Sequence, residues 1–435
     1  MQIKGKKVLV YGLGISGQAV SKLLHEKGAF VSIYDDENRF SNVYSFCKDP
    51  LTKDFDLVVI SPGIKMIDNE IVSHFIQKKT PILSELDIGY LFCKGKIIGI
   101  TGTNGKTTVT SLTGEIFKTA GKDTFVCGNI GLPFSSIALK TTKSSFVVCE
   151  VSNFQLEATK LFKANEVAIL NLAPDHIDRH GTYEEYVRVK RKIITGKKQK
   201  VVLNFDDEGS KMSKFDKKVM FFSKIPLKKG VFIKNNSIYH NKTKIISLHD
   251  IPLFGEKNLE NVLASVALCV GFKIKPQIIK KAIMNYKAPS HRLEYLGQVN
   301  GAEVFDDSKA TNISASMGAI TSLGDKGLIL MLGGLNKGFT FDEIFDKGFQ
   351  FDEVICFGQA GEEIARCGEK YGYDCKIFNT MKEATIFVKG NAKEGQKILL
   401  APACASFDEF SSYAVRGEVF REIMTGEYEK IENSK

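Results

Sequence analysis

The chain has 435 residues, 60 basic against 50 acidic for a net charge of +10, and 43% of its side chains are hydrophobic. At roughly 150 residues per domain this predicts about three domains, and the apolar share is enough for several cores, which excludes a disordered chain. Both charge signs are mixed along the whole length and Trp is absent. That favours an enzyme with anionic ligands and excludes nucleic acid as the expected partner. The Cys residues are scattered without any Cys-x-x-Cys pair, so they read as buried thiols of a reducing compartment, not as a disulfide or zinc framework. No signal-peptide core follows the first residues and no apolar run approaches membrane-spanning length, so a cytoplasmic protein without a membrane partner is expected.

The first block, residues 1–93, opens with a strand at Val8-Leu9-Val10-Tyr11, a Gly12-Leu13-Gly14-Ile15-Ser16-Gly17 loop and a helix to Gly28. A second strand, Phe30 to Tyr34, ends at Asp35-Asp36. This is a Rossmann-like β-α-β unit, and alone it suits a nicotinamide cofactor as well as a substrate diphosphate. Leu57 to Ile60 leads into Ser61-Pro62-Gly63, a rigid turn fit to line a ligand crevice. The preferred reading is that Gly14, Ile15 and Ser16 hold the diphosphate of a nucleotide-linked substrate. A linker near Leu91 to Lys96 closes the block.

The second block, residues 94–289, begins with the apolar run Ile97 to Ile100 and continues Thr101-Gly102-Thr103-Asn104-Gly105-Lys106-Thr107-Thr108. Val109 to Ala120 then has the apolar spacing of a helix. Strand, glycine loop, Lys-Thr and helix make a phosphate cradle, with Lys106 reaching the outer phosphates and Thr107 ligating Mg²⁺. The spacing departs from the general P-loop, because Ile100 stands where a leading glycine is expected. Strands are predicted at Phe146 to Val151, Val167 to Asn171, Val201 to Asn204 and Val219 to Phe222, with a polar hairpin over 230–250. A helix is predicted over Asn258 to Val270 and another ending near Pro289. Glu150, at a strand tip beside the loop, is placed to hold Mg²⁺. Asn171 to His180 packs two His, two Asp and one Arg just past a strand end. Together they read as a metal and phosphate surface with His176 as the leading ligand.

The third block, residues 290–435, has strands predicted at Leu328 to Leu332, Glu353 to Phe357, Cys375 to Phe378 and Lys397 to Leu400, alternating with helices. Gly333-Gly334 and Pro402 mark strand ends, where open α/β sheets bind ligands.

These motifs resemble the Mur ligase superfamily. The resemblance runs through Gly128-Asn129-Ile130-Gly131, Asn258-Leu259-Glu260-Asn261 and His291-Arg292-Leu293-Glu294. It continues in Asp307-Ser308-Lys309-Ala310-Thr311-Asn312, Gly333-Gly334 with Lys337, and Pro402 to Asp408, which point to its D-glutamate-adding branch. It implies three α/β domains: a Rossmann-like one, a central P-loop ATPase-like one and a C-terminal Rossmann-like one, in a monomer. The implied reaction is ATP-dependent: the carboxylate of UDP-N-acetylmuramoyl-L-alanine becomes an acyl phosphate, and the amine of D-glutamate displaces phosphate.

By this similarity ATP lies on Gly102, Thr103, Asn104, Gly105, Lys106, Thr107 and Thr108, with Asn258, Arg292 and Asp307 at adenine, phosphate and ribose. Two Mg²⁺ are implied, one on Thr107 and Glu150, the other on His176 and a carbamylated Lys190. Spacing alone makes Lys190 one cation of a solvated basic face. Ser61, Pro62, Gly63, Asn129 and His176 join Gly14, Ile15 and Ser16 around the UDP-substrate. Lys309 approaches the γ-phosphate, and Thr311, Lys337, Ser406, Phe407 and Tyr413 surround D-glutamate. Asp36-Glu37 stands where the family has a Thr-Arg-like pair, and Asp306 where Asn is frequent. A sister ligase of the folylpolyglutamate synthase type, adding another amino acid, is the nearest competing reading. A nicotinamide oxidoreductase leaves the Lys106 loop unexplained, and a nucleotide-switched binding protein leaves Asp175-His176 without a role.

Overall fold

The computed structural model describes residues 2–37, 44–196, 199–211, 219–253, 255–287 and 290–426. Short aliphatic runs such as Val8-Leu9-Val10, Leu57–Ile60 and Val147-Val148-Cys149 are buried throughout, as strands covered on both faces must be. They assemble three sheets. The first has five parallel strands, β1 (Lys7–Tyr11), β2 (Phe30–Tyr34), β3 (Ser45–Phe46), β4 (Leu57–Ile60) and β5 (Ile82–Ser84), in the order β3-β2-β1-β4-β5. The strand order reverses between β1 and β4, so the loops after these two strands flank a crevice.

The second sheet has nine strands: β6 (Lys96–Thr101), β7 (Thr124–Gly128), β8 (Phe146–Glu150), β9 (Glu166–Ile169), β10 (Lys200–Asn204), β11 (Val219–Ser223), β12 (Val231–Lys234), β13 (Ser237–His240) and β14 (Thr243–Ser247). Their order is β14-β13-β12-β11-β10-β9-β6-β8-β7. Strands β6 to β12 pair in parallel, and β12-β13-β14 form an antiparallel meander at one border. The polar excursion expected over 230–250 is therefore part of the sheet, anchored by buried Val231, Phe232, Ile238, Ile245 and Ile246.

The third sheet has six strands: β15 (Glu294–Val299), β16 (Ala302–Asp306), β17 (Leu328–Gly333), β18 (Glu353–Phe357), β19 (Cys375–Phe378) and β20 (Lys397–Ala403). The order is β15-β16-β20-β17-β18-β19, parallel except for the β15–β16 hairpin. The fold is thus the expected three-sheet α/β architecture. The chain separates into two compact units, Met1–Pro252 with Glu260–Tyr286, and Leu253–Leu259 with Lys287–Lys435.

Strands β3, β5, β7, β15 and β16 were not anticipated from the sequence. Gly297 interrupts β15 at a bulge, and most of that strand is half-exposed, so its alternation is blurred. The linker expected over Leu91 to Lys96 is shorter, because the helix Glu85–Phe92 extends through Phe92. Ser84 starts that helix with a capping box to Asp87. The same buried Asp87 carboxylate accepts the N–H groups of Lys160, Leu161 and Phe162, tying the linker helix to the second sheet's layer. The helix predicted to end near Pro289 is Pro276–Met284, and Pro289 lies outside the described residues. Among the described residues no helix is long and apolar enough to cross a membrane.

Candidate nucleotide and ligation site

Four neighbouring strands of the second sheet, β9-β6-β8-β7, deliver polar residues at their carboxyl ends, the edge where open parallel sheets take ligands. After β6 the backbone turns at Gly102 (φ +157°) and Gly105 (φ +82°), and the helix Lys106–Thr119 follows. A Cβ on Gly105 would lie 2.1 Å from Asn261 Oδ1, so only glycine fits between loop and helix Glu256–Gly271. Gly105 makes no side-chain cap at the helix start, the kind of N-terminus that takes anions. Asn171 braces the loop by accepting the Asn104 N–H at 2.8 Å and donating to the Asn104 carbonyl at 3.2 Å. The Thr103 hydroxyl pairs with the Tyr186 hydroxyl at 2.9 Å. Lys106 Nζ folds back onto the Gly102 and Thr103 carbonyls at 2.9 and 2.7 Å.

Thr107 Oγ1 donates to Glu150 Oε2 at 2.8 Å, and Asn129 Nδ2 donates to Glu150 Oε1 at 2.9 Å. Thus three residues singled out in separate segments meet at one buried carboxylate. Lys190 overturns its reading as a solvated cation. It is 1% exposed, with Nζ donating to the Gly102 carbonyl at 2.9 Å and lying 4.7 Å from the Tyr186 ring centroid. Burial, helped by the nearby Lys106 charge, pushes its ammonium well below the usual lysine range. The reason it stood hidden is that it sits in a charged stretch of the helix Tyr183–Arg191, where Arg188 is exposed and Arg191 half-buried.

His176 caps the short helix Ile177–His180 in the left-handed region (φ 53°) and packs 4.6 Å from the Phe154 ring, with Asp175 Oδ2 at 3.7 Å. His180 is buried against Asn153 at 2.7 Å, and burial lowers its imidazolium, so it serves packing.

In the first sheet, Gly12 (φ +92°) and Gly17 allow the tight turn: a Cβ on Gly17 would sit 1.9 Å from the Gly12 carbonyl oxygen. Ser61 Oγ donates to that same carbonyl at 2.6 Å, joining the loops after β1 and β4. Gly14 has open space around it, and Ile15 is 75% exposed. Asp35, the acidic residue that a nicotinamide ribose would need, is buried and takes the N–H groups of Leu13 and Glu37 at 2.6 and 3.0 Å. Each Asp35 oxygen thus serves the turn as an acceptor. Asp36 accepts the Tyr11 hydroxyl at 2.9 Å.

In the second unit the carboxyl ends of adjacent β16, β20 and β17 carry the residues singled out there. Lys309 Nζ lies 3.7 Å above the Tyr413 ring. Asp307 accepts the Leu293 N–H at 3.2 Å, and desolvation, countered by Arg292, pushes its carboxyl up to about 7. Lys337 and Phe407 are exposed, Ser406 is buried, and Thr311, Arg292 and Asn258 are half-buried. Asp306, in place of the frequent Asn, is buried and contacts His291 Nδ1 at 2.6 Å. Burial draws His291 down, but the Asp306 bond and charge outweigh it and hold the imidazole above its ordinary range.

Arg416 was missed. It is 1% exposed, and its guanidinium donates to the carbonyls of Ser308 (2.8 Å), Cys404 (3.1 Å) and Ala405 (3.2 Å) and to Ser308 Oγ (3.0 Å). It fastens the loops after β16 and β20 together. A lone Arg in a helix offers no sequence signal of this.

Residues 100–269 match the Mur ligase middle domain and residues 291–404 the Mur ligase glutamate ligase domain. The UDP-N-acetylmuramoylalanine–D-glutamate ligase of Thermoanaerobacter sp. (strain X514) is 39% identical over 97% of this chain and 98% of its own. That of Koribacter versatilis (strain Ellin345) is 36% identical over 98% of each. Among solved structures, UDP-N-acetylmuramate–alanine ligase MurC from Thermotoga maritima superposes with a TM-score of 0.60 at 18% identity, covering 99% of this chain and 100% of that one. MurF ligase from Thermotoga maritima in complex with ADP gives 0.59 at 17% identity, covering 98% and 96%. The chain belongs to the Mur ligase family, and the relatives that match it along nearly its whole length are UDP-N-acetylmuramoylalanine–D-glutamate ligases.

Proposed function

We propose that this chain is a cytoplasmic, ADP-forming ligase of peptidoglycan synthesis that uses ATP to join D-glutamate to UDP-N-acetylmuramoyl-L-alanine. The observation that carries the reading is the cluster at the ends of β6, β8 and β9: an open helix N-terminus, Lys106, the Thr107–Glu150 pair and buried Lys190. A carboxylate is a poor electrophile, so it must be phosphorylated before an amine can attack it, and two anions must first be brought together. The loop amides and Lys106 supply the positive potential for the phosphates. Lys106 is stored on its own loop carbonyls and exchanges them for phosphate oxygens.

Thr107 and Glu150 offer adjacent hard oxygen donors that fit Mg²⁺, and His176 with carbamylated Lys190 are assigned to a second ion. When bound, the metal offsets the charge of phosphate and carboxylate. Lys190 is suited to carbamylation because burial disfavours its ammonium form and so favours the amine that reacts. The nitrogen lone pair adds to CO₂, a proton leaves to solvent, and an anionic oxygen donor replaces the cation. Gly14, Ile15, Ser16, Ser61, Pro62 and Gly63 are assigned to the UDP-substrate diphosphate, and Asn129 and His176 to its acyl end. Asn258, Arg292 and Asp307 are assigned to ATP and Lys309 to its γ-phosphate. Thr311, Lys337, Ser406, Phe407 and Tyr413 are assigned to D-glutamate. The domains are assigned as 1–93, 94–289 and 290–435.

The test is product mass and phosphate release with UDP-N-acetylmuramoyl-L-alanine, ATP and a panel of D- and L-amino acids. Release that requires both the UDP-substrate and D-glutamate is expected, with ¹⁸O passing from the acceptor carboxylate to phosphate. Lys106→Ala and His176→Ala are expected to lower ligation by about 10²-fold or more with circular dichroism unchanged. Phosphate release independent of the amino acid would refute the reaction.

A further inference from the structure

Arg179, grouped by the sequence with a metal and phosphate surface, turns instead to Glu157 and to the first sheet, and none of the ligand roles proposed above uses it. Its Nε donates to both Glu157 oxygens at 2.8 and 3.1 Å, and one terminal nitrogen adds a bond to Oε2 at 2.6 Å. The guanidinium carbon lies over the Phe154 ring, 4.3 Å from its centroid. Its remaining donors cross to the first sheet, reaching the carbonyls of Pro62 (3.1 Å), Gly63 (3.3 Å) and Ile64 (3.0 Å). Glu157 is held in turn at the end of the helix Asn153–Glu157, whose start follows Glu150 by way of a Ser152 capping box. Arg179 itself stands three residues after His176, in the helix that His176 begins.

We infer that Arg179 is a positioning residue that fixes the distance between the Ser61-Pro62-Gly63 turn and the His176 end of the second sheet. It thereby aligns the UDP-substrate's diphosphate with its reacting carboxylate. The inference rests on the substrate assignment proposed above. Three carbonyls of one turn are held by one planar fork, which is also locked to a carboxylate and lies over an aromatic ring. A guanidinium has the donors for that geometry and an ammonium does not. A substrate that spans both loops gains rate only if the two ends are set at the right separation, and a shift of about 1 Å costs on the order of 10²-fold.

The experiment uses the full chain with Arg179→Ala and Arg179→Lys. For both variants kcat/KM for the UDP-substrate is expected to fall roughly 10- to 100-fold while KM for ATP changes less than about twofold. Millimolar guanidinium is expected to restore part of the loss in Arg179→Ala and to leave the wild type unaffected. Hydrogen exchange at residues 61–65 is expected to speed up in both variants, a readout independent of catalysis. Unchanged exchange there, or a kcat/KM for the UDP-substrate within twofold of wild type, overturns the inference. A rise in every KM together, without guanidinium rescue, also overturns it, since that marks general loosening. Failure of the wild type to form the ligated product would instead refute the substrate reading, and it is scored on a different protein.

Discussion

Among the described residues each unit buries one Lys or Arg, Lys190 and Arg416, near the carboxyl ends of its parallel strands, and the two are held in opposite ways. Lys190 has one recorded carbonyl acceptor and a ring face, and its ammonium is pushed well down. Arg416 has carbonyl acceptors from two strand-end loops and a hydroxyl, and burial draws it only to about 10, so it keeps its charge at neutral pH. Burial is the same physical cost in both. What differs is the number of oxygens that compensate it, and hence how strongly burial disfavours the charged form.

The largest expected effect comes from removing the reactive one. Lys190→Ala should lower kcat by about 10²- to 10³-fold, with partial return on adding acetate or another short carboxylate, read by phosphate release. Full activity without added carboxylate would take Lys190 out of the site. Wild-type enzyme freed of CO₂ should also lose activity and regain it with bicarbonate.

Arg416→Met sharpens the other side. It leaves the buried Ser308 and Cys404 carbonyls without the guanidinium, while Ala405 keeps the Leu335 N–H, and should cost about 2–5 kcal/mol, seen as a lower unfolding midpoint of the second unit. Arg416→Lys should recover only part of this, because one ammonium cannot reach all the acceptors. If the midpoint hardly moves, the clasp is not what holds these loops.

The smallest effect extends the comparison to an acid. Glu166 is 1% exposed with Lys200 at 3.8 Å, and desolvation pushes its carboxyl up to about 7, against the opposing Lys200 charge. The folded chain therefore binds that proton more tightly than the unfolded chain does. Its stabilising contribution is complete below the ordinary carboxyl range and is lost as pH rises to and through about 7. Glu166→Gln should flatten the fall in stability between about pH 4.5 and 7, by roughly 3 kcal/mol at most.

The strand-end chemistry was legible in the sequence because it is local: Gly102 to Thr108 must be contiguous to form a loop, and Glu150 and His176 sit within a few residues of strong aliphatic runs. Glycines with a required positive φ, such as Gly105, announce themselves in the same way. The hairpin β15–β16 was not legible, since a bulge at Gly297 and half-exposed faces spoil the alternation that marks a strand. Burial of Lys190 and Arg416 was hidden for a different reason. Both lie on helices rich in other charges, and only the tertiary arrangement decides which cation points inward. Asp306 shows the same limit, because a change from Asn looks mild until His291 is found against it.

The antiparallel meander that finishes the nine-stranded sheet has a bearing on how the protein behaves when crowded. A free β border invites a second molecule to dock alongside it, and β14 is such a border. Its outward half carries exposed Thr243 and Lys244, preceded by exposed Lys242, and the ladder inside it is kinked between Ile238 and Tyr239. A neighbour attempting to add a strand there would meet ammonium groups on a twisted rim, so the sheet can grow wide without becoming a template for fibres.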